Sequence, residues 1–217
     1  MIESKVFVSV PRLIHGFGVG PCEIDDMVGP EMRVFETDQM HGKRVVRLED
    51  VRGEGVVEAD AFITNEPGIV CHVRSADCVP ILIADAKGRA IAAVHAGWRG
   101  TALNVVAEAL KEMTRAYGTD PADCVAAIGP CICGACYEVG REVEEAMAAL
   151  GLGDSWRAGS NRADLRLANA ALLERAGVLR SNIEILKECT RCDTRFASFR
   201  RDGGLGRQVN FIAIIND

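Results

Sequence analysis

Residues 92–100 read AAVHAGWRG, and the order of residue types in this stretch decides how the chain around it folds. Ala92, Ala93 and Val94 end an apolar run of the kind that fills a buried strand. His95 closes the run. Gly97, Trp98, Arg99 and Gly100 then occupy a turn before helical spacing begins. Glycine in a turn costs backbone entropy on folding, so two glycines beside an imidazole and a guanidinium signal a constraint other than packing. The role of His95 depends on which distant residues reach it.

Working outward, strand-like runs occur at KVFVSV (5–10), KRVVRL (43–48), DAFIT (60–64), GIVCHV (68–73), VPILIAD (79–85) and RAIAAVH (89–95). Several are bounded by Gly, Asp or Asn. After Gly100 the apolar residues Ala102, Val105, Val106, Ala109, Leu110 and Met113 recur at helical steps, with Thr101 as expected cap and Gly118 as stop. Val139, Val143, Met147 and Leu150 mark a second helix, and Leu165, Ala168, Leu172 and Ala176 a third ended by Gly177. Strands IEILK (183–187) and QVNFIAII (208–215) follow. The order strands, helix, strand, helix, helix, strands suits a layered α+β fold better than regular βαβ alternation. No repeat, low-complexity segment or Pro/Ser linker divides the chain, so residues 1–217 are read as a single domain.

Composition narrows the function classes. With 48% hydrophobic and 26% charged residues the chain reads as globular, neither disordered nor fibrous. The longest apolar stretch, around 79–84, is too short to cross a bilayer, and the start MIESKVFVSVPR lacks the features of a secretory signal, so no membrane partner and a cytoplasmic location are expected. A net charge of −6 argues against a sequence-independent grip on nucleic acid and favours a small substrate. Nine cysteines cannot all pair within one chain, and in a reducing compartment they are expected as thiols, some of them ligands or nucleophiles.

Three tight polar turns carry reactive side chains: Gln39-Met40-His41-Gly42, Ser75-Ala76-Asp77-Cys78-Val79-Pro80 and His95-Ala96-Gly97-Trp98-Arg99-Gly100. Two imidazoles and a thiolate make a three-ligand set for zinc that leaves a fourth position for water or substrate. The same atoms also suit a Cys78–His95 couple in which the imidazole draws off the thiol proton. Taken singly, each residue also fits an ordinary core or turn role.

The runs DQMHG (38–42), ADAFIT (59–64), SADCVPIL (75–82), VHAGWRGT (94–101), IGPCICGACYEVG (128–140) and SFRRDGGLGRQ (198–208) resemble the YfiH-like family. Its members carry laccase-domain or polyphenol oxidase labels and are described as zinc-dependent purine nucleoside phosphorylases with adenosine deaminase activity. The resemblance covers nearly everything from about residue 37 onward. It implies that His41, Cys78 and His95 bind the metal and are catalytic. It also implies a layered α/β/β/α fold with mixed sheets, similar to a cysteine-hydrolase-toxin scaffold. The implied substrates are phosphate and the nucleosides adenosine, inosine and guanosine, with methylthioadenosine as a further candidate. Zinc is the expected cofactor, copper the alternative, and a monomer or small homo-oligomer the expected state.

On this reading zinc activates water for deamination and orients the nucleoside for phosphate attack. Arg99, four residues from His95, joins Arg200, Arg201 and Arg207 as a candidate anion clamp, and Asp77 is a candidate orienter or proton carrier. Trp98 shapes the pocket or fills the core, His72 is read as structural, and His15 is unassigned. Cys131, Cys133 and Cys136, and the C-x-x-C pair Cys189 and Cys192, suggest a second zinc site or a redox pair on spacing alone. The resemblance implies instead that the first three lie in a structural loop leading to Tyr137 and Glu138, and the last two are read as surface thiols. Family members carry a longer N-terminal portion, and HGFGVGPCEIDDMVG (15–29) passes almost at once to VFETDQMHG (34–42), as if a helix and a loop were missing. Competing readings are a copper-dependent phenol oxidase, for which four histidines are few, a metal-independent Cys-His hydrolase or deamidase, and a non-catalytic nucleoside- or zinc-binding protein.

Overall fold

In the computed structural model, which describes residues 1–53 and 55–216, the run from Val79 is a strand buried along its whole length, with the other elements layered on its two faces. The strands are β1 (Leu13–Phe17), β2 (Thr37–Asp38), β3 (Val45–Arg47), β4 (Val57–Glu58), β5 (Ala61–Thr64), β6 (Val70–Ser75), β7 (Val79–Asp85), β8 (Ile91–Ala96), β9 (Cys124–Ile128), β10 (Ile183–Ile185) and β11 (Gln208–Ile214). The helices are α1 (Trp98–Ala102), α2 (Val105–Tyr117), α3 (Arg141–Ala148), α4 (Leu165–Arg175) and α5 (Phe199–Asp202). A mixed six-stranded sheet has the order β10-β9-β7-β8-β5-β3, with β10–β9 and β3–β5 parallel and the remaining pairs antiparallel. An antiparallel sheet β1-β11-β6 packs against it, and β2–β4 forms a short parallel pair.

Side chains alternate along a strand, so each central strand serves two cores. Val79, Ile81 and Ile83 with Ala92, Val94 and Ala96 face the helices and meet Val106, Ala109, Leu110 and Leu172. Leu82, Ala84, Ile91, Ala93 and Phe62 face the second sheet and meet Cys71, Val73, Ile212 and Ile214. The outer face of that sheet, Val70, Val209, Phe211 and Ala213, is covered by Ile24, Met27, Met32 and Val34. The fourth layer is therefore not the expected layer of helix. Residues 18–35 carry only a 3-10 turn at Ile24–Asp26, and Gly18, Gly20, Pro21, Gly29 and Pro30 leave no uninterrupted run for an α-helix to wind. No described helix is long and apolar enough to cross a membrane.

Two local expectations are corrected. KVFVSV is not a strand: it turns through a 3-10 helix at Lys5–Phe7, because only Phe7 and Val10 are buried and that spacing is turn-like, while Val8 is 84% exposed. The edge strand is β1 instead. The helix after Gly100 is broken in two at Asn104, whose φ of +57° interrupts the helical path. Thr101 lies inside α1, where its hydroxyl accepts from Asn169 Nδ2 at 2.9 Å, and it caps nothing. Gly118, with φ +67°, closes α2 as expected.

Asp164 caps α4 through the Arg166 and Leu167 amides, pairs with the Arg166 guanidinium at 2.6 Å, and accepts from the Gly134 amide at 3.2 Å. Burial alone would raise its pKa, but Arg166 and the backbone donors hold it below the usual carboxylate value. The stabilisation is therefore present above the unfolded carboxylate pKa of about 3.9 and is lost as pH falls through the depressed folded value. Asp164→Ala should cost about 2–4 kcal/mol at neutral pH, from the lost cap and the unpaired guanidinium. Denaturant unfolding checks this, and the gap from wild type should narrow in strong acid.

Candidate metal centre

The alternation that fills the inter-sheet core also points three polar residues the same way. Two positions before Phe62 stands Asp60, two before Pro80 stands Cys78, and two after Ala93 stands His95. Ala61 pairs with Val94 and Val79 with Ala96, so these residues gather at one end of the adjacent strands β5, β8 and β7. His41 arrives from the turn between β2 and β3.

Asp60 organises the group. It is fully buried, and its carbonyl accepts from the His95 amide at 2.7 Å while Oδ1 lies 2.9 Å from His95 Nδ1. The same carboxylate accepts from the amides of His41 at 3.0 Å and Gly42 at 2.6 Å. His41 has φ +56°, a left-handed conformation that few residues with side chains adopt, and the carboxylate pins it there. The His41 and His95 rings meet edge to face with centroids 4.8 Å apart. One donor atom from each of His41, Cys78 and His95 lies within 4.8 Å of the others. With Nδ1 of His95 turned to Asp60, Nε2 is the atom left for a ligand.

Gly97 now has its reason. A Cβ there would stand 3.1 Å from Cys78 Sγ and 3.1 Å from His41 Nδ1, tighter than ordinary contact, so a side chain at this position would push on two of the donors. A Cβ at Gly100 would press on the Gly42 carbonyl at 3.2 Å.

Burial, the largest influence on His95, disfavours its charged form, yet hydrogen bonds and charge from Asp60 and Cys78 outweigh it and raise the pKa to about 9. Asp60 stays below the ordinary carboxylate value: burial pushes it up, and the bonds from His95 and Gly42 bring it down further. His41 is lowered, first by burial, then by positive charge on His95, with Arg99 and Arg207 acting in the same sense against Asp60. The donor set suits a metal: one carboxylate-oriented imidazole, a second imidazole and a thiol, with one side open.

That open side is a cleft of about 610 Å³ whose lining includes all three donors, Asp77, Trp98, Tyr137, Phe199 and four arginines, 74, 99, 200 and 207. Arg99 stacks over Trp98 at 4.2 Å and is the least committed cation, reaching only Glu142 at 4.0 Å. Arg200 lies 5.1 Å over Tyr137 and donates to the Glu138 carbonyl, and Arg207 donates to the carbonyls of Gly204 and Gly206. Arg201 is not in the cleft. Its guanidinium is consumed by Asp202 and by the carbonyls of Thr190 and Phe196, so the expected anion clamp loses this member. Asp77 reaches the cleft, but its carboxylate is occupied by the Thr190 hydroxyl at 2.6 Å, the Ser198 hydroxyl at 3.1 Å and the Arg200 amide at 2.7 Å. Those partners make it a clamp on the 190–200 loop. His72 is buried in β6 against the Phe35 carbonyl, and His15 accepts from the Ser4 amide.

One feature escaped the sequence reading, and another was raised by spacing and set aside. Asp60 was visible only as a lone charge at the head of the apolar run ADAFIT. Cys133, Cys136, Cys189 and Cys192, read as a loop and as separate surface thiols, come together with sulfurs within 4.8 Å of one another.

Residues 23–215 match the family model described as multi-copper polyphenol oxidoreductase laccase. The chain is 39% identical over 170 residues to a purine nucleoside phosphorylase of Deinococcus radiodurans, covering 77% of this chain and 64% of that relative. It is 39% identical over 192 residues to adenosine deaminase RL5 from an unknown prokaryotic organism (83% and 72% covered), and 36% over 184 residues to purine nucleoside phosphorylase YfiH of Escherichia coli (82% and 72%). The crystal structure of YlmD from Geobacillus stearothermophilus superposes with a TM-score of 0.79 at 32% identity, over 86% of this chain and 75% of that one. The chain belongs to this laccase-like family, together with the proteins named YfiH and YlmD.

Proposed function

We propose that this chain is a purine nucleoside phosphorylase with adenosine deaminase activity, acting on adenosine, inosine and guanosine at a zinc site formed by His41, Cys78 and His95. The convergence of those three donors on the floor of an open, arginine-rimmed cleft carries the reading. Relatives named for both activities support it. Zinc, when bound there, supplies Lewis acidity at the cleft floor.

The remaining work falls to the chain's own residues. A cleft of about 610 Å³ accommodates a nucleoside, since small-molecule sites run from roughly 300 to 1,000 Å³. Trp98, Tyr137 and the 58% exposed Phe199 offer apolar walls for a purine. Burial, with the charges of Cys78 and Asp77, pushes the Tyr137 phenol up to about 12, so it remains a proton donor at neutral pH. Arg99, held by no carboxylate nearer than Glu142 at 4.0 Å, can turn to phosphate, with Arg207 and Arg200 adding positive field beside it. In phosphorolysis a phosphate oxygen bonds to the ribose anomeric carbon as the carbon–nitrogen bond to the purine breaks and the base takes up a proton. In deamination water replaces the exocyclic amine, which leaves as ammonia. Asp60 holds the His95 ring in one tautomer and one orientation for both reactions.

Zinc fits better than a multi-copper centre despite the family's description. Of four histidines, His15 and His72 are bonded elsewhere in the fold, which leaves two imidazoles at the cleft. A second reading, a metal-independent Cys78–His95 hydrolase related to the cysteine-hydrolase-toxin scaffold, draws on the closeness of those two side chains, whose donor atoms lie within 4.8 Å of each other.

Cys78→Ala should abolish phosphate-dependent base release from inosine, followed by chromatography of the products; turnover equal to wild type would sink the proposal. Chelation should remove activity and zinc restore it, whereas activity that persists in chelator selects the metal-independent couple. Asp60→Asn should weaken zinc binding roughly 10–100-fold, as loss of a ligand-orienting carboxylate does. Competition with a zinc indicator measures this.

A further inference from the structure

We propose a second, structural zinc site formed by Cys133, Cys136, Cys189 and Cys192. It shares no ligand with the cleft site and does not depend on the reading of the cleft. Topology brings the two C-x-x-C units together. β9 and β10 are parallel neighbours, so the loops that follow them leave the same end of the sheet. Their parallel pairing resumes at an isolated bridge between Cys131 and Cys189, where the Thr190 amide donates to the Cys131 carbonyl at 3.0 Å. Each unit then doubles back: the Cys136 amide donates to the Cys133 carbonyl at 2.9 Å, and the Asp193 amide to the Cys189 carbonyl at 2.9 Å.

The four sulfurs that result lie within 4.8 Å of one another. Tetrahedral zinc with bonds of about 2.3 Å sets its sulfurs about 3.8 Å apart, so the cluster needs only small shifts to close on an ion. All four are free thiols. Even Cys136 and Cys192, whose sulfurs are 3.2 Å apart, are well beyond the bond length of about 2.05 Å in a disulfide. The Cys133 amide donates to Cys189 Sγ at 3.3 Å, the kind of outer support that steadies a thiolate ligand. Arg191, donating to the Cys136 carbonyl at 3.4 Å, adds positive charge beside the negative charge of a tetrathiolate. On binding, the thiols pass their protons to solvent as the sulfurs take up Zn²⁺.

The site has a structural purpose. The first loop carries Tyr137 and the second leads to Phe199 and Arg200, so one ion would staple two walls of the cleft. Zinc per chain, measured by elemental mass spectrometry on the full-length protein purified under reducing conditions, tests the proposal together with cobalt substitution. Wild type should hold at least one ion whatever the cleft binds, and Cys78→Ala should keep one that gives the intense thiolate charge-transfer bands of tetrathiolate cobalt. Cys136→Ser/Cys192→Ser should lose those bands. If that variant does not fold, the Cys78→Ala spectrum decides alone. A metal-free Cys78→Ala protein, cobalt spectra without tetrathiolate bands, or an intact mass showing a Cys136–Cys192 disulfide in place of metal would each overturn it.

Discussion

The carboxylate of Asp60 has no contact with solvent, and a buried anion is tolerable only when its lone pairs are met by donors. Here the donors are the His95 ring and the amides of His41 and Gly42, so the bonds that make the charge tolerable also assemble the site. The His41 turn is held in a left-handed conformation by the same group that fixes the tautomer of His95. Gly97 follows from this arrangement, because a Cβ there would press on Cys78 and His41, and Gly100 lies against the Gly42 and His95 carbonyls.

Much of this was legible in the sequence where the signal is local. The run VPILIAD gives β7 with its observed limits, and Gly118 ends α2, because apolar continuity and left-handed glycine act within a few residues. The trio His41, Cys78 and His95 was legible because each sits in a Gly- or Pro-marked turn beside a strand. KVFVSV misled because a short apolar run does not reveal which of its residues are buried. Asn104 gave no sign that it would break a helix. Asp60 was hidden for a different reason: it is placed by strand neighbours distant in sequence, β5 beside β8, and pairing of that kind leaves no periodic mark. The cysteine spacings were visible and suggested a second metal site, but not that β9 beside β10 would bring Cys133, Cys136, Cys189 and Cys192 together.

The family's description and the chemistry of this chain diverge in one respect. A laccase label evokes several copper ions held largely by imidazoles, but this chain brings two imidazoles and one thiol to its cleft and commits its other two histidines to backbone partners. Four arginines also line the opening, positive charge that phenol oxidation would not call for.

The smaller sheet has a further consequence for how the protein is made. Its central strand, β11, comes after every other element in the sequence, and both β1 and β6 bond to it. During synthesis the six-stranded sheet can pair while the face carrying Leu82, Ala93 and Phe62 still lacks its cover. Until β11 emerges and docks, that face remains a sticky, half-finished core, and this is the stage at which a chaperone has most to shield.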